Sequence, residues 1–197
     1  MDRCSAYIQV MCNLKDRQTM IEFSVDNYNV TVFVGQAPDI LDFYKKHAVF
    51  IDDKDLKNEG TEVYIIISKG FSKPETTIIA FKTDPVGYAG FKPGLHYEKE
   101  SQTLFIGAGT IIKTLRLADN KIIFEKNSGM GFWGWTKNKD FILQQEEIDF
   151  GVFSLTGEQL WETFVSPPYD FEMKEDKITL KFDDIIETRL LLTGEKV

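Results

Sequence analysis

The C-terminal half of the chain repeats itself, and this limits the fold more than any other feature. Leu155-Thr156-Gly157-Glu158-Gln159-Leu160 returns as Leu192-Thr193-Gly194-Glu195-Lys196-Val197, 37 residues on. In the other direction Ile142, Phe150, Phe153, Leu155 and Leu160 fall on Leu104, Ile112, Leu115, Leu117 and Ile122 at a spacing of 38. Three tandem units therefore occupy 94–131, 132–168 and 169–197. Such a period marks folds made by stacking one supersecondary unit on the next, because each unit buries its apolar face only against a neighbour.

The second unit divides into four short apolar segments, 132–136, 141–145, 148–155 and 159–165, separated by Lys137-Asn138-Lys139, Glu146-Glu147 and Thr156-Gly157-Glu158. Four antiparallel strands per unit is the pattern of a propeller blade. The third unit reaches Val197 where the second begins its fourth segment, so it lacks most of one strand. A closed propeller needs about four blades. The expected fold is therefore all-β, with blade-like antiparallel repeats forming either an incomplete propeller or an open, sandwich-like stack.

Residues 1–93 are expected to form an N-terminal β-meander with one short helix, packed on the repeats. Ala6, Ile8, Val10, Cys12 and Leu14 share one face of a first strand by the two-residue period; Ile21, Phe23 and Val25 do so in a second, and Tyr28, Val30, Val32 and Val34 in a third. Asp26-Asn27 fits a two-residue hairpin, since both side chains tolerate the left-handed conformation. Pro38-Asp39 reads as a helix start capped by Asp39, with Ile40, Leu41, Tyr44 and Ala48 at helical spacing. Asp52 to Gly60 reads as a solvated loop. The β-branched runs Val63 to Ser68 and Thr76 to Lys82 read as strands joined across Gly70 to Glu75. Asp84 to Gly94, rich in proline and glycine, reads as the boundary before the repeats. An N-terminal strand from 6–34 is expected to cover the short third unit, whose open edge is otherwise prone to aggregation.

The stretch Phe150-Gly151-Val152-Phe153-Ser154-Leu155-Thr156-Gly157-Glu158-Gln159-Leu160-Trp161 resembles the blade motif of quinoprotein-like (PQQ-like) β-propellers: a strand, a Thr-Gly turn and an apolar residue before Trp. The resemblance implies that Trp161 docks between units and fastens them. Ile123 stands in place of that Trp in the first unit. The repeat half, including Leu104-Phe105-Ile106-Gly107-Ala108-Gly109 and Gly131-Phe132-Trp133-Gly134-Trp135, is also similar to bacterial proteins of unknown function. Many members of the quinoprotein-like superfamily are non-enzymatic scaffolds that bind no quinone, so the resemblance implies a fold and no cofactor.

Charge narrows the partners. The formal net charge is −8, and 94–197 contributes −6 of it. Nucleic-acid and anionic-membrane binding both require a basic surface, so neither class is expected. The N-terminus shows no secretory pattern and no apolar run approaches about 18 residues, which makes a cytoplasmic location the expectation. Cys4 and Cys12 lie eight positions apart in an extended segment, a poor geometry for a disulfide.

Candidate functional residues fall into two groups. Trp133 and Trp135 would share a strand face and present a flat aromatic platform for a sugar ring or a protein partner, with Tyr97 at the matching position of the first unit. Packing between repeats is the plainer reading, expected about twice as readily. Glu146-Glu147 aligns with Asp183-Asp184, so these acids are expected on one rim, as a patch for a divalent cation or a basic partner; solvated hairpin acids are the plainer reading there. His47 and His96 lack companions at metal-ligand spacing, so no zinc centre is expected. The stretch 52–59 places Lys57 where a calcium loop needs an oxygen, Gly107-Ala108-Gly109 is not a dinucleotide fingerprint, and Gly-x-Ser-x-Gly is absent. The chain reads as a non-enzymatic binding or scaffold protein that meets a protein partner through its repeat rim. The rival reading is a carbohydrate-binding module or sugar-active enzyme using the Trp platform, with Glu146 and Asp149 as acids.

Overall fold

The computed structural model describes residues 6–9, 19–70, 75–83, 93–128 and 130–197. The first unit contributes β7 (Gly94–Glu98), β8 (Thr103–Ala108), β9 (Ile111–Arg116) and β10 (Lys121–Asn127). The second contributes β11 (Phe132–Asn138), β12 (Phe141–Glu146), β13 (Asp149–Ser154) and β14 (Gln159–Phe164). The third contributes β15 (Tyr169–Lys174), β16 (Lys177–Phe182) and β17 (Ile185–Leu190). Each is an antiparallel meander in sequence order. The fold is all-β with blade-like repeats and, among the described residues, one short helix.

Repetition reaches the level of packing. Residues 104, 106 and 108 on β8, 142, 144 and 146 on β12, and 178, 180 and 182 on β16 are the inward positions, all of them buried. On β8 they join the cluster shared with the N-terminal sheet, and on β16 the cluster shared with the second unit. The Thr-Gly turns fasten the stack. Gly157 (φ 92°) lies so close to Thr103 and Thr114 of the first unit that a Cβ would sit 2.9 Å from Thr114 Oγ1. That hydroxyl donates to the Gly157 carbonyl at 2.7 Å. Gly194 (φ 72°) likewise presses on the Trp161 ring, while the indole N–H donates to the Leu191 carbonyl at 2.7 Å. Trp161 thus joins the second and third units as the blade motif implies, though it is half-buried rather than enclosed.

The N-terminal sheet runs β2 (Thr19–Val25), β3 (Tyr28–Gly35), β5 (Thr61–Lys69), β6 (Glu75–Thr83), β4 (Ala48–Asp55), with β4 parallel to β6. The Asp26-Asn27 hairpin forms, with Val25 opposite Tyr28 and Asp26 at φ 49°. Val30, Val32 and Val34 face the first unit's Leu104, Ile106 and Leu115 in one core, and the other face packs on α1 (Leu41–Lys46).

Four expectations change. Residues 6–34 are not a single meander, because β1 (Ala6–Gln9) leaves it to pair with β7 at the edge of the first unit. The same pairing means that the described N-terminal strands lie against the first unit and not the third; there Val197 N–H donates to the Thr188 carbonyl, and Lys196 bridges Arg189. The helix has Ile40 at its N-cap with no side-chain cap, and Asp39 does not serve. The stretch from Asp52 begins inside β4: Asp52 is buried because its carboxylate meets the Lys113 ammonium at 2.6 Å, a pairing that a charged run does not announce. The expected first-strand face beyond Gln9, the hairpin tip at 71–74 and the boundary at 84–92 lie outside the described residues.

Candidate functional site: a carboxylate cluster where the three units meet

The rows of one sheet face assemble the site. On the face that the second unit turns to the first, Gln144, Gly151 and Glu162 lie opposite one another across β12, β13 and β14. Glu146 and Asp149 continue the same face at the end of β12 and the start of β13. The carboxylate oxygens of Glu146, Asp149 and Glu162 lie within 4.8 Å of one another. Lys126, from the last strand of the first unit, brings its ammonium to this group, 3.4 Å from Glu146 and from Asp149 and in closer contact with Glu162. Ser128 donates to Glu146 Oε2 at 2.7 Å. From the third unit the Tyr169 hydroxyl donates to the Glu146 backbone carbonyl at 2.9 Å.

Glu146 is fully buried, and its Oε1 has no hydrogen-bond partner among the described residues. Burial drives its pKa up to about 7; the Ser128 bond and the Lys126 charge oppose that rise, and the Glu162 and Asp149 charges add to it. Burial alone would lower Lys126, yet the Glu162 bond and the surrounding carboxylates outweigh it and raise its pKa. The Gln144 carboxamide is also fully buried, neither its oxygen nor its nitrogen partnered among the described residues, and its oxygen would sit 3.0 Å from a Cβ at Gly151. On its other side Lys126 lines a cavity of about 130 Å³ with Lys54, Asp55, Lys113 and Glu125.

The structure separates the expected aromatic pair. A β-bulge between Phe132 and Gly134 breaks the alternation of β11. Trp135 therefore packs inward against Phe105, Phe132 and Phe153 with 3% exposure. Trp133 is half-buried and stacks on Tyr169, ring centroids 5.2 Å apart and planes 9° from parallel. Tyr97 is buried in the core beneath the N-terminal sheet, its hydroxyl on Asp26 at 3.0 Å. No shared platform exists, because a bulge turns one Trp over and the core takes the other two rings.

The acidic turns do lie at one end. Tyr169 pairs with Phe182, Phe182 with Ile185, and Tyr169 bonds to Glu146, which sets the Asp183-Asp184 turn beside the Glu146-Glu147 turn. They are not equivalent: Glu146 points inward, Glu147 is half-buried, and Asp183 and Asp184 are exposed. Lys126, Ser128, Glu162, Tyr169 and Gln144 were not apparent as site residues. The repeat itself carried a signal: Gln144 and Glu146 stand where β8 has Ile106 and Ala108 and β16 has Leu180 and Phe182.

No family model and no curated protein matches the chain. Among solved structures it is similar to the crystal structure of BamB from Moraxella catarrhalis, at 11% identity over 97% of this chain and 75% of that chain, with a TM-score of 0.36. Among the described residues no helix is long and apolar enough to cross a membrane.

Proposed function

We propose that the protein is a non-enzymatic binding scaffold whose repeat rim receives a protein segment carrying both basic and apolar side chains. One observation carries the reading: acids and apolar side chains crowd the same end of the second and third units. Glu147, Asp183 and Asp184 lie there beside Phe164 and Ile186, exposed by 60% and 73%, with Met130 and Ile185 also exposed. Large exposed apolar groups rimmed by polar residues mark interaction surfaces, and the sign of the rim selects a cationic partner. The carboxyl group with a pKa near neutrality, Glu146, is enclosed and beside a lysine, which suits a structural or binding role better than acid catalysis.

The test is titration of the full chain with an amphipathic Lys/Leu peptide, its Glu/Leu counterpart, and a panel of oligosaccharides. The expected result is salt-sensitive binding of the Lys/Leu peptide alone, weakened about tenfold by Asp183→Asn with Asp184→Asn and by Ile186→Ser. Equal binding of both peptides, or indifference to these variants, overturns the reading. Salt-independent oligosaccharide binding that Trp133→Ala removes would favour the carbohydrate alternative, which retains the half-buried Trp133 ring as its support.

A further inference from the structure

The charge balance around Lys126 is incomplete. Three carboxylates face one ammonium, and two of its three contacts are 3.4 Å long, beyond the 2.7–2.9 Å of a strong charge-assisted bond. Glu146 Oε1, wholly enclosed, receives no hydrogen bond from the described residues. Gln144 supplies an independent sign: a fully buried carboxamide with no partner among the described residues leans over Gly151, which pairs with Glu162 on the same face. Gly151 leaves that space open, since a side chain there would meet the amide. Both neighbouring units fill the positions of Gln144 and Glu146 with apolar residues, so the fold does not require polarity there.

We infer that Glu146, Asp149, Glu162 and the Gln144 carbonyl form a binding site for a hard divalent cation of the calcium type, with the Lys126 ammonium as the occupant it displaces. The inference stands apart from the rim reading above. Carboxylates and a carboxamide oxygen are the donors that calcium prefers, and their mixed mono- and bidentate options suit its flexible coordination. A dication supplies the second positive charge that the cluster lacks. Lys126 has somewhere to go, because it already borders the cavity that contains Asp55 and Glu125. The cation would then join the second unit's strands β12, β13 and β14 at the junction with the first.

The experiment uses the full chain with calcium chloride alone and magnesium chloride alone, read by titration calorimetry and by thermal melting. The expected result is one calcium site with a dissociation constant on the order of 0.1–1 mM, and a melting temperature that climbs with calcium concentration. Magnesium, which demands tighter octahedral geometry, raises it less. Glu146→Gln weakens calcium binding by about tenfold or more. Should that variant fail to fold, Gln144→Met serves instead: it keeps the size of the side chain, removes the oxygen, and weakens calcium binding by about tenfold. Lys126→Met removes the competitor and tightens it. Absence of heat and of a melting shift in both the parent chain and Lys126→Met overturns the inference. So does calcium binding that neither Glu146→Gln nor Gln144→Met weakens, since the ion would then sit elsewhere.

Discussion

The seam between the first and second units and the seam between the second and third use the same strand positions and opposite chemistry. In the second seam Leu143, Phe150 and Val152 meet Ile178, Leu180 and Phe182 with no charge among them. In the first, Phe105, Ile112, Phe132, Trp135, Ile142 and Phe153 make an equally enclosed aromatic core, but His96, Glu98, Gln144 and Glu146 are buried beside it. Among the described residues, His96 Nε2, Trp135 Nε1, both amide atoms of Gln144 and Glu146 Oε1 have no hydrogen-bond partner. A buried unpaired polar group costs roughly 1–3 kcal/mol. The repeat therefore specifies a seam whose core can be wholly apolar, with polar links such as Tyr169 to Glu146 and Arg189 to Thr163 around it, and the first seam departs from it by placing unpaired polar groups within the core.

The largest effects test whether the two seams are equally tight. Phe153 in the first seam and Phe150 in the second are both fully buried. Each Phe→Ala change should cost about 3–5 kcal/mol, read from denaturant midpoints. A Phe153→Ala cost far below that of Phe150→Ala would mean that the polar seam is loosely packed, and the comparison would become one of rigid against soft.

Next in size is an acid sensitivity of the first seam. His96 is 2% exposed, edge-on to Phe105, with its Nε2 4.0 Å from Glu98, which in turn holds Lys137 at 2.5 Å. Burial pushes its pKa down to about 4; the Glu98 carboxylate opposes this and Lys137 assists it. An unfolded histidine titrates near 6.5. Between these values the unfolded chain takes up a proton that the native imidazole refuses. The contribution is thus whole above about pH 6.5 and is lost as pH falls toward 4, by up to about 3 kcal/mol. His96→Phe should flatten this acid limb relative to the parent chain when midpoints are compared at about pH 7.5 and about pH 5. An unchanged limb would remove His96 as its source.

Sequence revealed the frame of this contrast because repetition is a statement about packing. The 37- and 38-residue spacings located the strands of three units, and alternation placed Val30, Val32 and Val34 in the core. What escaped was set by tertiary pairing. Asp52 looks solvated until Lys113 is seen against it, and β1 looks like the start of a meander until β7 takes it. The Trp133 and Trp135 platform failed on a local irregularity, the bulge after Phe132, which a period of two does not contain. Of the carboxylate cluster, sequence points to Glu146 for a position in a turn rather than for its burial, to Asp149 only as an acid beside the Trp pair, and to Glu162 not at all. Lys126 comes from another unit, and no spacing rule joins residues across a seam.

Smaller effects probe how closely each seam is pressed. A Cβ at Gly107 would lie 2.4 Å from the Phe132 ring in the first seam, and one at Gly194 would lie 2.6 Å from Trp161 in the second. Gly194 also has φ 72°, a conformation that alanine adopts only with strain. Gly107→Ala should therefore cost about 1–3 kcal/mol through overpacking alone. Gly194→Ala should cost at least as much, because strain adds to a contact with Trp161 Cγ, Cδ2 and Cβ, the base of a ring whose N–H is held by the Leu191 carbonyl. Thermal melts of the two variants rank the seams; a larger loss at Gly194 would show the second seam to be the less forgiving.

The smallest expected effect is the one that most sharpens the contrast, because its sign is informative. Gln144→Leu gives the first seam the residue type that β16 carries at the matching position, Leu180. In calcium-free buffer the change removes an amide that has no partner among the described residues and adds apolar burial, so stability should rise by about 1 kcal/mol. A loss of similar size would mean that solvent satisfies the amide within the seam, making the first seam hydrated rather than strained. Leucine is also branched where glutamine is straight, and Gly151 leaves the space that this branch needs. A denaturant midpoint measured with chelator present separates the two outcomes, and the gain, if found, is the stability that the polar seam surrenders at this single position.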